Sequence, residues 1–133
     1  LLPGARSIVV TTPQHTAASV AERSGAIGLQ TGQSVLGVVE NLSYLSSAGK
    51  KLEIFGTGGG QAVANRLAEL SGHEVPVLVQ IPMSEALREA SDTGQPLDQE
   101  SQDEALMQIA KLADLVAKIP PGLSGKKLGL KAI

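Results

Sequence analysis

Val35-Leu36-Gly37-Val38-Val39-Glu40-Asn41 is the stretch whose reading decides the fold. Apolar residues and one glycine follow each other without polar alternation until the acid and amide at the end. A run of this kind suits a strand buried on both faces, as parallel sheets covered by helices require. Working outward, Ser7-Ile8-Val9-Val10-Thr11 is a β-branched run of the same type upstream. Val75-Pro76-Val77-Leu78-Val79-Gln80-Ile81 is a third run downstream, with Pro76 tolerated near its start.

Helical spacing fills the intervals. Between the first two strands, Thr12-Pro13 reads as an N-cap followed by proline at the first helical position. Ala17, Val20, Ala21, Ser24, Ile27 and Thr31 then share one face, and Gly32 is the stop. Gly25 and Gly28 inside that helix suggest close packing on a sheet. After the second strand comes a long polar stretch from Asn41 to Gly60, in which Lys51 to Phe55 reads as a short extended piece. Val63, Leu67 and Leu70 mark a second helix closed by Gly72. Ser84 caps a short helix carrying Leu87 and Ala90 and ending near Gly94. Ser101-Gln102-Asp103-Glu104 fits a capping box for a last helix with the stripe Leu106, Ile109, Ala110, Ala113, Val116 and Ala117. Strand, helix, strand, helix, strand, helix implies an α/β architecture with parallel strands and right-handed crossovers. About three strands make a partial doubly wound parallel sheet, so the expectation is the second half of such a domain, with at least one unpaired strand edge.

Composition narrows the function classes. The chain has 133 residues, 42% of them hydrophobic, with one Phe, one Tyr and no Trp, so its core is aliphatic. The formal charge of −2 lacks the basic excess of a dedicated nucleic-acid binder. Cysteine is absent, which removes disulfides, thiolate catalysis and Cys-ligated zinc or iron–sulfur clusters from this chain. No apolar run is long enough to span a membrane, and the N-terminus lacks signal-peptide character. The expected location is cytoplasmic, with no nucleic-acid or membrane partner. The tail from Lys118 holds four lysines and no acid and reads as solvated.

Few residues announce chemistry. No Lys is followed by Ser or Thr, so the phosphate loop G-x-x-x-x-G-K-[ST] is missing. His15 and His73 are the only imidazoles and stand apart, as solvated surface residues do. Gly56-Thr57-Gly58-Gly59-Gly60 invites a phosphate-cradle reading ahead of a helix. Gln61, however, stands where a G-x-G-x-x-G pattern needs its third glycine, which favours a flexible turn. Asn41 lies just past the carboxyl end of a buried strand, where open α/β sheets bind ligands. Its amide can donate and accept at once, as the edge of a purine base requires, although asparagine is also a common turn-former there.

Five separated motifs then agree in order and spacing: Ile8 to Gln14, Leu36 to Ser43, Ile54 to Gly60, Ile81-Pro82, and Arg88 to Pro96. Over roughly residues 1 to 97 the chain resembles the C-terminal half of the Mrp (ApbC-like) P-loop ATPases, relatives of MinD implicated in iron–sulfur cluster carriage. The resemblance implies an ATP site whose phosphate loop, with its Mg²⁺, lies upstream of Leu1. It implies that Asn41 reads adenine and that the backbone around Pro82 and Met83 lines the same base pocket. It also implies a homodimer, or other self-association, with nucleotide between the subunits.

One departure stands out. Many members of that family carry a C-x-x-C pair just after the E-N-[ML]-S motif, and here the stretch reads Tyr44-Leu45-Ser46-Ser47-Ala48-Gly49. Serine hydroxyls are poor substitutes for thiolates, so an iron–sulfur cluster bound through this segment is not expected. The expected organisation is residues 1–119 as the C-terminal part of an ATPase domain and 120–133 as a basic, flexible tail. The parent is expected to hydrolyse ATP, whereas these residues alone are expected to hydrolyse none and to bind it weakly. Two rival readings are a non-enzymatic interaction or self-association module and a MinD-like positioning ATPase.

Overall fold

A computed structural model describes residues 5–96 and 100–120. The three apolar runs become strands β1 (Arg6–Thr11), β2 (Ser34–Asn41) and, after the hairpin described below, β5 (Val77–Ile81). They form one parallel sheet in the order β1-β2-β5, with Val9 opposite Val38, Val38 opposite Val77 and Asn41 opposite Ile81. The central strand is the one with the uninterrupted apolar run, as burial on both faces demands. Gly37 lets β5 come close: a Cβ there would lie 2.6 Å from Leu78 Cγ and 2.7 Å from the Pro76 carbonyl oxygen.

Helices α1 (His15–Gln30) and α2 (Gly59–Ser71) cover one face. Val9, Ala18, Ala21, Val38, Val63 and Leu67 make that core. Gly25 is the contact point of the layer, since a Cβ there would stand 2.7 Å from Leu67 Cδ2 and 3.2 Å from Val9 Cγ2. Gly28 has only ordinary clearance of 3.7 Å and is not needed for packing. Helix α1 buries Ala18, Ala21 and Gly25, while Val20 and Ile27 of the expected stripe stay 61% and 60% exposed. Ala21 of the stripe joins this core, whereas Val20 borders the groove along the free side of β1. The Thr12 cap also moves: the N-cap is Gln14, and the Thr12 hydroxyl bonds Gln14 Oε1 at 2.7 Å.

The polar stretch after β2 contains a hairpin, β3 (Leu45–Ser47) and β4 (Lys50–Leu52), turned at Ala48 and Gly49 with φ of 50° and 73°. Positive φ at both turn residues matches the twist of a two-residue hairpin. Of the extended piece expected at Lys51 to Phe55, Lys51 and Leu52 are extended as part of β4, while Ile54 and Phe55 lie in a turn. Helix α2 ends at Gly72 (φ 74°), as its αL position requires.

Helix α3 (Glu85–Thr93) starts under the Ser84 hydroxyl, which accepts the Leu87 N–H, and stops at Gly94. Helix α4 (Glu104–Ala117) covers the second face against Val39, Val79 and Ile81. It does so through Ala105, Ile109, Leu112 and Leu115, leaving Ala110, Ala113 and Ala117 in water. The larger side chains carry more apolar area, so they take the sheet in preference to the alanines. The cap is Asp103, which accepts the N–H groups of Ala105 and Leu106; Ser101 bonds the Asp103 N–H instead. Glu104 does not reach back, because it is drawn to Tyr44. The Pro120 carbonyl accepts from the Arg6 guanidinium at 2.8 Å, and the rest of the expected basic tail lies outside the described residues.

Candidate functional site

The carboxyl ends of β2 and β5 are knitted together beyond the regular ladder. Ser43 N–H donates to the Ile81 carbonyl at 2.9 Å, and Met83 N–H donates to the Tyr44 carbonyl at 2.8 Å. Asn41 is the last residue of β2, so it stands in register with Ile81 and beside Pro82 and Met83. Its Oδ1 accepts the Leu42 N–H at 2.9 Å, holding a turn in which Leu42 has φ of 54°. The amide nitrogen has no partner among the described residues, and Oδ1 retains a second lone pair. The end of β2 thus presents both donor and acceptor capacity. Pro82 is buried and Met83 half-buried.

Asn41 also closes one end of an apolar groove of about 570 Å³ along the free side of β1. Ile8, Val10, Val20, Ser24 and Gly28 line it, and neither Pro82 nor Met83 does. The structure therefore joins the three expected base-pocket residues through backbone pairing while placing the Asn41 side chain on the β1 side.

The residue that sequence reasoning missed is Glu40. It is 2% exposed at the end of the central strand, an unusual place for an acid. Its carboxylate collects three donors: the Ser43 hydroxyl, Gln80 Nε2 at 2.9 Å and Gly60 N–H at 2.6 Å. A buried acid is tolerable only when so satisfied. The Gly60 bond also sets negative charge on the N-terminus of α2, where the helix dipole favours it. An acid ending an apolar strand, with a glycine-started helix following, was the available signal.

Glu40 changes the meaning of the glycine run. Gly58 (φ 82°) is the N-cap of α2, and Gly59 and Gly60 are buried. A Cβ on Gly59 would lie 2.5 Å from the Thr12 carbonyl oxygen and 2.6 Å from that of Pro13. One on Gly60 would lie 2.9 Å from Glu40 Cβ. These two glycines let the helix start seat against the loop after β1. The Gly60 N–H that a phosphate cradle would offer is held by a carboxylate instead, and the segment is a close-packed joint rather than a loose turn.

A second cluster fixes the hairpin. Buried Tyr44 donates its hydroxyl to Glu104 Oε1 at 2.8 Å, and Lys51 Nζ lies 4.0 Å from the Tyr44 ring centre and 4.0 Å from Glu104 Oε1. Burial pushes the Tyr44 phenol above its ordinary value, and the bond to Glu104 adds to the rise. Ser46 and Ser47, opposite Lys51 and Lys50, are exposed. His15 and His73 are exposed at separate element ends, and no three His, Asp or Glu groups converge among the described residues. No helix of the described residues is long and apolar enough to cross a membrane.

Comparison with known proteins gives a consistent result. Residues 1–127 match the protein-family model described as ParA, NUBPL iron-transfer P-loop NTPase. The iron-sulfur cluster carrier protein of Mycobacterium tuberculosis is 48% identical over 132 residues, which are 98% of this chain and 35% of that protein. The Bacillus subtilis protein of the same description is 40% identical over 87 residues, or 64% of this chain and 23% of its own. This chain thus spans about a third of the length of the first of these relatives. In fold it is similar to the septum site-determining protein MinD of Pyrococcus horikoshii, solved with Mg-ADP, at TM-score 0.60 and 23% identity. That match covers 96% of this chain and 45% of MinD. The partial doubly wound sheet is therefore that of MinD-like P-loop NTPases.

Proposed function

Because the chain belongs to the ParA family of NUBPL iron-transfer P-loop NTPases, we propose that it is the C-terminal part of a cytoplasmic, Mrp-like ATP-binding protein serving iron–sulfur cluster carriage. In this reading residues 1–119 complete the ATPase domain, and the phosphate loop with its Mg²⁺ is supplied by the remainder of the protein. Two chains self-associate around the nucleotide. Asn41, Pro82 and Met83 form the adenine side of the site.

The observation that carries the reading is the pairing of the Asn41 turn with the Ile81–Met83 turn at the carboxyl end of the sheet. Ligands of open α/β sheets bind there. Asn41 can donate its free amide N–H to a purine ring nitrogen and accept from an exocyclic amine, the pairing asparagine makes with adenine. Half-buried Met83 follows in the turn whose backbone pairs with that of the Asn41 turn. The residues present fit a base and not a triphosphate, since the Gly60 N–H is committed to Glu40. They do not fit a cluster either: Ser46 and Ser47 bear no thiolate, so a cluster carried as cargo is held by residues outside this chain.

The test is nucleotide titration of the whole protein, wild type against Asn41→Ala, with ATP and GTP in parallel. Loss of a hydrogen-bonding pair costs about 1 kcal/mol. ATP affinity is expected to fall roughly fivefold while GTP affinity holds, narrowing the adenine preference. An unchanged ATP-to-GTP ratio in a variant of unaltered melting behaviour removes the assignment.

A further inference from the structure

The nucleotide reading leaves the opposite edge of the sheet unused. Among the described residues β5 pairs only with β2, so one side of its backbone is open. A cavity of about 390 Å³ runs beside it, with four consecutive strand residues, Val77 to Gln80, forming one wall. At about 3.3 Å per residue that wall is a little over 10 Å long. The start of α2 at Gly58 and Gln61 borders one flank, and Gln108 and Lys111 of α4 border the other. Tyr44 and Lys51 of the hairpin region close the end.

Its charge is one-sided. Lys51 and Lys111 are the cations of the lining, and the one acid, Glu40, is already satisfied by three donors. Glu104 lies 4.0 Å from Lys51 and offsets part of its charge, whereas the Lys111 side chain has no ion pair or hydrogen bond among the described residues. The Gln108 side chain likewise has no hydrogen bond there and can serve a backbone amide as donor or acceptor. Open strand edges accept added strands through main-chain hydrogen bonds, with flanking side chains choosing the sequence.

We propose that the β5 edge is a docking groove for an extended, acidic peptide segment of a partner protein, which adds as a fourth strand beside β5 with its carboxylates facing Lys111 and Lys51. This inference does not depend on the nucleotide assignment, because none of Asn41, Pro82 and Met83 lines the groove.

Fluorescence anisotropy of a labelled hexapeptide alternating glutamate with valine, titrated with the full chain, tests it. Saturable binding is expected, weakened by added salt and reduced roughly fivefold by Lys111→Glu, a change at an exposed position. The same peptide with N-methylated backbone amides is expected not to bind, since strand addition needs its N–H groups. Hydrogen exchange of the β5 amides is expected to slow on binding. The proposal is overturned if a lysine–valine peptide binds equally well, or if the N-methylated peptide binds unchanged. Indifference to Lys111→Glu overturns it too, as does the absence of saturable binding at millimolar concentration. Full displacement by inorganic phosphate at equal concentration points to a small-anion site and also overturns it.

Discussion

The two edges of this sheet are built for different surroundings. Along β1, Val10 is 60% exposed and lines one groove with Ile8 and with Val20 of α1, an apolar strip beside a strand edge that has no partner among the described residues. Along β5 the neighbours are Gln80, Gln108, Lys51 and Lys111, which can stay in water. Each square ångström of apolar surface left wet forgoes about 25 cal/mol. The β1 edge therefore calls for permanent cover, while the β5 edge can open and close on a partner. The same distinction sorts roles: the apolar edge suits the joint to the rest of a larger domain, and the polar edge suits exchangeable contacts.

Glu40 is where the comparison can be broken most forcefully. Its carboxylate ties the β5 side, through Gln80, to the start of α2, through Gly60, and among the described residues it has no hydrogen bond to β1. Glu40→Ala leaves the Gly60 N–H and the Gln80 amide without their acceptor, and an expected loss of about 3 kcal/mol follows. Chemical denaturation measures the total. Hydrogen exchange apportions it, with β5 and the first turn of α2 expected to open more readily and β1 to change little. Uniform loosening across all three strands would mean that the edges are not independently held.

A middle-sized effect probes the other edge. An uncovered apolar strand edge pairs with whatever is at hand, including a second copy. Sedimentation of the 133-residue chain is expected to show self-association that grows with concentration. Val20→Lys and Val10→Lys place a charge on that strip and are expected to weaken the association roughly tenfold. Lys111→Glu, on the β5 edge, is expected to leave it alone. A monomer at high concentration in the unaltered chain would take away the claim that β1 needs cover.

How much of this was legible beforehand follows from physics that sequence does or does not carry. The three strands were readable because β-branched runs without alternation admit few other fates. Gly72 and Gly94 were readable as helix stops because αL geometry favours glycine. Helix faces were less so: the Val20 and Ile27 stripe was found, but periodicity does not say which neighbour a stripe meets. The hairpin at Leu45 to Leu52 was hidden because its strands are three residues each and mostly polar. At the site, Asn41 was legible from its place at a strand end. Glu40 was not, because only the fold brings Gly60, Gln80 and Ser43 to one carboxylate. The Asp103 cap prevailed over the Ser101–Glu104 box for a similar reason, since Glu104 has a tertiary partner in Tyr44.

That partnership gives the smallest effect and the sharpest check on the polar edge. Tyr44 is held neutral by burial and by donating to Glu104; ionised, it would face that carboxylate. Its folded pKa therefore lies above the ordinary value of about 10. A group raised in this way contributes its stabilisation fully below the unfolded pKa and loses it as pH rises through the folded one. The contribution is thus flat through neutral pH and declines in the alkaline range. Tyr44→Phe keeps the ring beneath Lys51 but removes the hydroxyl, with an expected cost of about 1 kcal/mol at neutral pH and loss of that part of the alkaline slope. Lys51 also sits over the Tyr44 ring and 4.0 Å from Glu104, so Lys51→Met is the parallel variant that separates its contacts from those of the hydroxyl. If unfolding curves for Tyr44→Phe keep the full alkaline slope, the start of the hairpin is held by the backbone bond from Met83 to the Tyr44 carbonyl, and the polar edge is less tightly organised than the bond to Glu104 implies.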